Sequence, residues 1–166
     1  MTIPRLASAH SVLLVIDVQD KLLAKMQMAA PLVRNVAFLL DVAALLAVPA
    51  RATEQYPKGL GPTTPELARR LPSDPPAKTA FSAFGASGFS NDLRTLGSMN
   101  AVLTGMETHV CVAQTAFDLL EAGYVVFVPV DAVASRFTID YETALRPRLD
   151  RHGSCARTGG VRSGCT

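Results

Sequence analysis

The stretch Ala101-Val-Leu-Thr-Gly-Met-Glu-Thr-His-Val-Cys111 predicts the central structural unit of this chain. It opens with a short apolar run, Ala101 to Leu103, which is typical of a buried strand. The run breaks at Gly105, and a helical period of apolar residues begins at about Cys111. The stretch therefore predicts a strand that leads through a tight turn into a helix, with a cysteine in the first helical turn.

The position of Cys111 favours a nucleophile. Unpaired backbone N–H groups and the positive end of the helix dipole surround the first turn of a helix. These surroundings lower the pKa of a thiol, and the thiolate is the reactive form. A free cysteine is also often a small buried residue, so a structural role for Cys111 stays open from its position alone.

Two further apolar runs have the character of strands buried on both faces. The first is Ser11-Val-Leu-Leu-Val-Ile-Asp17, which ends in Asp17. The second runs from Tyr124 to Val130 and is followed by Asp131. Neither is interrupted by polar residues at every second position, as is typical of strands in a parallel sheet. A second strand is expected at Val48 to Thr53, although it is weak because a proline and an arginine interrupt it.

Helical periods alternate with these strands, at Pro31 to Leu46 and at Cys111 to Ala122. This alternation predicts an α/β fold of three layers, α/β/α, with a mostly parallel, Rossmann-like sheet. Functional sites in such sheets lie off the carboxyl ends of the strands. Asp17, the stretch from Gly105 to Cys111, and Asp131 all fall at such ends.

Asp17 and Lys78 are each ambiguous alone. A carboxylate at the end of an apolar strand is costly unless it is paired or faces a cleft, but Asp17 could equally cap the next helix. Lys78 lies among small and apolar residues in Ala77-Lys-Thr-Ala-Phe81. It is either part of a site or a surface lysine whose stem covers apolar surface.

Composition narrows the class of protein. The 166 residues are 49% hydrophobic and 18% charged, with a net charge of +2, which fits one globular domain over 1–150. Basic residues are not interleaved with aromatic ones, so no nucleic acid partner is predicted. The longest apolar stretch, Val36 to Ala50, contains Asp41 and is too short for a membrane span.

The sequence contains no motif for a disulfide framework, a metal, a nucleotide cofactor or a signal peptide. The three cysteines have no CxxC spacing and the histidines form no ligand motif, so neither a disulfide framework nor a metal is predicted. No glycine-rich nucleotide-binding loop is present, so no cofactor is expected. The start of the chain lacks the pattern of a signal peptide, and we expect a cytoplasmic protein.

The segment from Arg151 to Thr166 differs from the rest. It is rich in Gly, Arg and Ser, and Val161 is its only large aliphatic residue. We expect it to supply neither a core strand nor an amphipathic helix, and we treat 151–166 as an atypical tail.

Read together, these residues resemble the isochorismatase-like cysteine hydrolases, a family that includes the nicotinamidases. A further segment, Ala52 to Gly61, resembles the subgroup of isochorismatase-domain hydrolases without an assigned substrate. The resemblance covers about Ser11 to Leu145. It rests on Leu14-Val-Ile-Asp-Val-Gln19, Lys78-Thr-Ala-Phe81, Gly105-Met-Glu-Thr-His-Val-Cys-Val112 and Asp131-Ala-Val-Ala-Ser-Arg136.

The resemblance implies a catalytic triad and a reaction. Asp17 is the general base, Lys78 holds its carboxylate and favours the thiolate, and Cys111 attacks a carbonyl to form a thioester. The backbone N–H groups of Glu107 and Cys111 form the oxyanion hole, and the Met106–Glu107 peptide is cis. We expect hydrolysis of a small amide-type C–N bond by a homo-oligomer.

The substrate pocket is less well defined by the residues. Candidates to line it are Gln19, Tyr56, Phe81, Thr108 and His109. Each of these has an equally good structural explanation, as a core aromatic or as loop packing.

Some features depart from the family. The loop Thr53 to Gly61 lacks the Asp and His residues with which nicotinamidases bind a metal, which disfavours nicotinamide as substrate. Arg151 to Thr166 does not match the family's final strand and helix, which indicates an altered reading frame, an aberrant end or a divergent tail. Two alternatives to amide hydrolysis stay open: isochorismatase-type cleavage of a vinyl ether, and an inactive oligomeric scaffold.

Overall fold

A computed structural model describes residues 5–145 and 153–156 of the chain. Its centre is a parallel sheet with the strand order β3-β2-β1-β4-β5-β7, and β6 pairs with the end of β4. Within the described residues the strands are β1 (Ser11–Ile16), β2 (Ala50–Gln55), β3 (Ala77–Lys78), β4 (Asn100–Met106), β5 (Val125–Pro129), β6 (Val133–Ala134) and β7 (Gly153–Ala156).

Helices cover the sheet on both faces. They are α1 (Asp20–Leu23), α2 (Ala29–Leu45), α3 (Pro57–Leu60), α4 (Pro65–Ala68), α5 (Phe89–Leu96), α6 (Ala113–Glu121) and α7 (Thr138–Leu145). The predicted three-layer α/β/α class with a mostly parallel sheet is confirmed. Among the described residues, no helix is both long enough and apolar enough to cross a membrane.

Strand β1 shows how the sequence builds the two cores. All six of its residues are buried, and successive side chains point to opposite faces of the sheet. Leu14 and Ile16 belong to the same apolar cluster as α6, whereas Leu13 and Val15 belong to the cluster of α2. A continuous apolar run, rather than an alternating one, is therefore what this central strand requires.

Strand β2 forms despite the two residues that weaken its sequence signal. Pro49 precedes the strand, and its carbonyl accepts a hydrogen bond from the N–H of Leu13 at 2.9 Å. The guanidinium of Arg51 forms an ion pair with both carboxylate oxygens of Asp92 on α5; its Nη2 lies 3.2 Å from Oδ1. The charge within the strand is thus matched by a partner on the neighbouring helix.

The tail supplies one strand, although the sequence predicts neither a core strand nor a helix there. Gly153–Ala156 forms the edge strand β7, which pairs with β5 from Val126↔Gly153 to Pro129↔Ala156. Strand pairing uses backbone N–H and C=O groups, which small and polar residues also provide, so a search for apolar side chains misses it. The rest of the tail and the family's final helix lie outside the described residues.

Candidate active site

The carboxyl ends of four adjacent strands, β3, β2, β1 and β4, meet at one edge of the sheet. Asp17 directly follows β1, Lys78 is the last residue of β3, and Cys111 lies on the turn that follows β4. The structure brings these three side chains together although 61 residues separate Lys78 from Asp17 along the chain. This is the edge at which open parallel sheets place their sites.

Asp17 is completely buried, and its carboxylate is surrounded by donors. Its Oδ1 accepts a hydrogen bond from the Thr53 hydroxyl at 2.8 Å, and its Oδ2 accepts one from the Lys78 ammonium at 2.6 Å. The thiol of Cys111 lies near enough to this carboxylate that each group shifts the pKa of the other. The backbone of Asp17 adopts a left-handed conformation, with φ of 53°, where the chain leaves the strand.

The ammonium of Lys78 has a full set of acceptors. Its Nζ lies 2.6 Å from Asp17 Oδ2, 2.7 Å from Gln55 Oε1, 2.9 Å from the carbonyl of Phe81 and 3.2 Å from the carbonyl of Ala80. An ammonium has three protons, so these partners occupy all of them. Lys78 therefore acts in this geometry as a fixed positive charge beside Asp17.

Cys111 lies on a π-helical turn, Thr108–Val112, which connects β4 to α6. Its side chain is almost completely buried, at 8% exposure. The Thr115 hydroxyl donates to the carbonyl of Cys111 at 2.7 Å and accepts from the N–H of Ala83 at 2.9 Å. The buried threonine ties the turn that carries the thiol to the segment that follows Lys78.

The protonation state of the thiol differs from the prediction. Position at a helix start predicts a lowered pKa, but burial raises the pKa of Cys111 to about 12, and the negative charge of Asp17 adds to this effect. The charge of Lys78 and a backbone hydrogen bond from Glu107 lower the pKa without reversing the shift. The resting group is therefore a neutral thiol.

The pKa of the Asp17 carboxyl is also raised, chiefly because the group is buried. Lys78, first through its charge and then through its hydrogen bond, opposes this rise, and so do the hydrogen bonds from Thr53 and Cys111. A carboxylate whose pKa is raised is a stronger base. The arrangement thus pairs a basic carboxylate with the proton of a neutral thiol.

The turn between β4 and Cys111 has two unusual backbone features. The Met106–Glu107 peptide is cis, as the resemblance implies, and Gly105 has φ of 114°. A Cβ at position 105 would lie 2.1 Å from the carbonyl oxygen of Ile16 on β1, so only glycine fits. The side chain of Glu107 turns away to Arg136, whose backbone N–H lies 3.3 Å from Glu107 Oε2.

The residues predicted to line the pocket separate into two groups. Tyr56 and Phe81 are exposed, at 54% and 59%, and their backbones flank Lys78: the Tyr56 N–H donates to the Lys78 carbonyl at 2.9 Å. Gln19 and Thr108 are instead buried. The carboxamide of Gln19 holds the backbone of Gln55, and the hydroxyl of Thr108 has no hydrogen-bond partner among the described residues.

Two further predicted positions lie outside the cluster around Cys111. The ring of His109 is partly exposed, and its Nδ1 lies 3.0 Å from the hydroxyl of Ser135. Asp131, which follows β5, lines a cavity of about 450 Å³ beside the start of α2, and its carbonyl accepts a hydrogen bond from Asn35 at 2.6 Å. Asp17, Lys78 and Cys111 do not line that cavity.

Thr53 and Gln55 are the site residues that the sequence analysis missed. Both lie at the carboxyl end of β2, between the strands that carry Asp17 and Lys78. The strand-end rule that identified Asp17 could have found them, but the expected strand stopped at Thr53 and had a weak signal. In the part of the chain that the structure describes, no group of three His, Cys, Asp or Glu side chains could hold a metal ion.

Comparison with known proteins gives a consistent result. Residues 11–155 match the family model of the isochorismatase domain. The isochorismatase domain-containing protein 2 of Danio rerio is 42% identical over 153 residues, which cover 91% of this chain and 76% of that protein.

Solved structures show the same similarity in three dimensions. A structure described as the MAR1 ribonuclease of Caenorhabditis elegans has a TM-score of 0.86 and 36% identity, over 93% of this chain and 80% of the other. The YcaC gene product of Escherichia coli, described as an octameric hydrolase of unknown specificity, has a TM-score of 0.87 and 26% identity. That alignment covers 97% of this chain and 81% of the other.

Proposed function

The chain belongs to the isochorismatase family, and on this premise we propose that it is a cysteine-dependent hydrolase of a small amide-type C–N bond. The observation that carries the proposal is the buried ion pair of Asp17 and Lys78, with the thiol of Cys111 near enough to Asp17 that each group shifts the pKa of the other. These residues combine a nucleophile, a base and a fixed positive charge, which is the set that acyl transfer through a thioester requires.

The first half-reaction begins from the neutral thiol. Asp17 accepts the thiol proton as the sulfur of Cys111 attacks the carbonyl carbon, so that no free thiolate has to accumulate at neutral pH. The backbone N–H groups of Glu107 and Cys111 stabilise the oxygen that becomes negative. The proton then passes from Asp17 to the leaving nitrogen as the C–N bond breaks, which leaves a thioester on Cys111 and a free amine or ammonia.

The second half-reaction uses the same groups in reverse. Asp17 accepts a proton from a water molecule, whose oxygen attacks the thioester carbonyl. The C–S bond breaks, the sulfur regains the proton, and a carboxylic acid is released. Lys78 takes no part in these proton transfers, and its charge stabilises the Asp17 carboxylate between the two steps.

The buried ion pair also argues against the two alternative functions. A buried pair of charges is rarely more stabilising than apolar residues of the same size, so a scaffold without a reaction gains little from Asp17 and Lys78. Cleavage of a vinyl ether needs no thiol nucleophile, so that reaction does not explain why Cys111 lies near Asp17.

The proposal is tested with a panel of small aliphatic and aromatic amides, by measuring the release of ammonia or amine. We expect the wild-type chain to hydrolyse at least one of them and Cys111→Ala to lose at least a thousandfold in rate with an unchanged circular dichroism spectrum. Cys165→Ala, which removes a thiol that the mechanism does not use, is the matched control. Undiminished hydrolysis by Cys111→Ala contradicts the proposal.

An RNA oligonucleotide belongs in the same panel, because one relative is described as a ribonuclease. Asp17 and Lys78 are fully buried, and the ammonium of Lys78 is already paired with Asp17. It therefore cannot neutralise the negative charge of a phosphodiester. We therefore expect no cleavage of RNA. Cleavage that Cys111→Ala abolishes would replace the amide by a phosphodiester as the substrate.

We further propose that the chain is a homo-oligomer that works in the cytoplasm. The similar Escherichia coli protein is described as octameric, and α2 exposes Phe38 and Leu45, the latter at 84%. A thiol nucleophile has to stay reduced, as it does in the cytoplasm. Sedimentation analysis tests the assembly, and a single monomeric species contradicts it.

A further inference from the structure

Gln55 contacts the charged pair directly, although it belongs neither to the Asp-Lys-Cys set nor to the predicted pocket. It is the last residue of β2 and stands opposite Lys78 in the register of β2 and β3. Its Oε1 accepts a hydrogen bond from the Lys78 ammonium at 2.7 Å. The distance from this ammonium to Asp17 is nearly the same, at 2.6 Å.

The orientation of the Gln55 carboxamide is fixed by its other end. Its Nε2 donates to the carbonyl of Thr79 at 3.0 Å. The reversed amide would place an NH₂ group against the ammonium and an oxygen against the carbonyl, so that both contacts would become repulsive. The carboxamide therefore presents its oxygen to Lys78.

The backbone of Gln55 is held as firmly as its side chain. The N–H of Gln55 donates to Oε1 of Gln19 at 2.8 Å, and its carbonyl accepts from Nε2 of Gln19 at 3.1 Å. Gln19 is fully buried and lies two residues beyond Asp17. The turn that carries Asp17 is thus tied to the residue that holds Lys78.

We propose that Gln55 is a positioning residue, whose neutral carboxamide holds the Lys78 ammonium beside Asp17 without adding negative charge to the site. The proposal rests on the function proposed above and deepens it. A carboxylate at position 55 would still accept from Lys78 but would add a second negative charge to the group of charges that acts on the thiol. A side chain without an acceptor would instead leave the ammonium to Asp17 and two backbone carbonyls, so that it shifts from the position that Gln55 sets.

The reaction of Cys111 with iodoacetamide tests the proposal without depending on amide hydrolysis. Trypsin produces the peptide 95–136, in which Cys111 is the only cysteine, so mass spectrometry follows this thiol alone. Rates are measured from pH 7 to pH 10 for the full chain and for Gln55→Glu and Gln55→Met. Gln27→Glu, at an exposed position, is the control for the change in net charge.

We expect Gln55→Glu to slow alkylation about tenfold at every pH, because a second nearby carboxylate disfavours the thiolate by about one pKa unit. We expect Gln55→Met to slow it at least threefold, because Lys78 is displaced from the thiol whose ionisation its charge assists. Gln27→Glu should react like the wild type.

The outcomes separate positioning from a merely structural role. A structural role requires only an acceptor for Lys78, so a folded Gln55→Glu that reacts at the wild-type rate overturns the proposal. Should Gln55→Glu not fold, Gln55→Met decides, and a wild-type rate there overturns it equally. If no amide is hydrolysed but both variants alkylate slowly, the positioning role stands and the proposed reaction fails.

Discussion

The ammonium of Lys78 lies 2.6 Å from the carboxylate of Asp17, and both side chains are completely excluded from solvent. Removing two charges from water is costly, and their attraction offsets that cost only when the remaining hydrogen-bonding groups are also satisfied. Here Thr53 satisfies the second carboxylate oxygen, and Gln55 and two backbone carbonyls satisfy the ammonium. The stability of the site therefore depends on all of these partners together.

Lys78→Met should destabilise the chain strongly. It leaves the Asp17 carboxylate buried without its counter-charge, which typically costs about 3–5 kcal/mol. Urea denaturation, followed by circular dichroism, measures the loss in free energy of unfolding. A loss below about 1 kcal/mol would show that Asp17 is not held as a buried anion.

The double variant Asp17→Asn, Lys78→Met is the control for that experiment. It removes both charges at nearly constant volume, so most of the lost stability should return. A double variant that is less stable than the single one would point to a packing defect at position 78.

The sequence predicts much of this arrangement, and particular residues show where it stops. Apolar patterns predict strand ends and helix starts, which is why Asp17 and Cys111 are candidates, and β1, α2 and β4 lie where those patterns place them. The sign of the thiol pKa shift was not predictable, because it depends on burial and on the distance to Asp17. Both quantities exist only once distant strands have paired.

The roles of Thr53 and Gln55 could not be predicted from the sequence either. Each is an ordinary polar residue in its own sequence context, and it acquires a role only because β2 lies between β1 and β3. The edge strand Gly153–Ala156 was missed for a related reason, since its pairing depends on the neighbouring backbone of β5 and on no pattern of its own. Tertiary neighbours thus supply the information that a local reading lacks.

The reactivity of Cys111 should rise with pH without reaching a plateau below about pH 10. The folded-state pKa of about 12 lies above the usual thiol value, so the thiolate fraction increases about tenfold for each pH unit over this range. The rate of alkylation by iodoacetamide, followed on the peptide 95–136, measures this dependence. A plateau between pH 6 and pH 8 would mean that the helix start and Lys78 outweigh burial.

The free energy of unfolding should fall with rising pH because of the same raised pKa of Cys111. Because the folded state holds the Cys111 proton more tightly than the unfolded chain, its contribution is present below about pH 9 and is lost as the pH rises toward 12. The wild type should therefore lose more stability than Cys111→Ala between pH 8 and pH 10.5 in urea denaturation. Equal losses in the two proteins would contradict a raised thiol pKa.

Thr53→Val should weaken the site while preserving its shape. The hydroxyl of Thr53 donates to Asp17 Oδ1 at 2.8 Å in a fully buried position, and a hydrogen bond to a charged group contributes about 1.5–3 kcal/mol. Loss of this donor should also raise the pKa of Asp17 further, because the hydrogen bond lowers it. Urea denaturation at pH 7 measures the first effect.

Thr95→Val is the matched control for Thr53→Val. Its hydroxyl donates to the carbonyl of Asp92 at 2.7 Å on an exposed part of α5, where water can replace the contact. We expect a change within about 0.5 kcal/mol there. Equal losses at the two positions would show that the effect at Thr53 reflects the exchange of threonine for valine rather than the bond to Asp17.

Gly105→Ala should be among the most damaging single substitutions near the site. The new Cβ would lie 2.1 Å from the carbonyl oxygen and 2.7 Å from the nitrogen of Ile16, and both atoms belong to the central strand β1. Overpacking should lower the free energy of unfolding by about 1–3 kcal/mol, and a positive φ at a non-glycine residue should lower it by a further amount of about 1–2 kcal/mol.

Gly97→Ala, which shares a positive φ of 63° but has open space around its Cβ, isolates the second contribution. The difference in urea midpoints between the two variants measures the steric part, and similar midpoints would mean that β1 and β4 can move apart at this position.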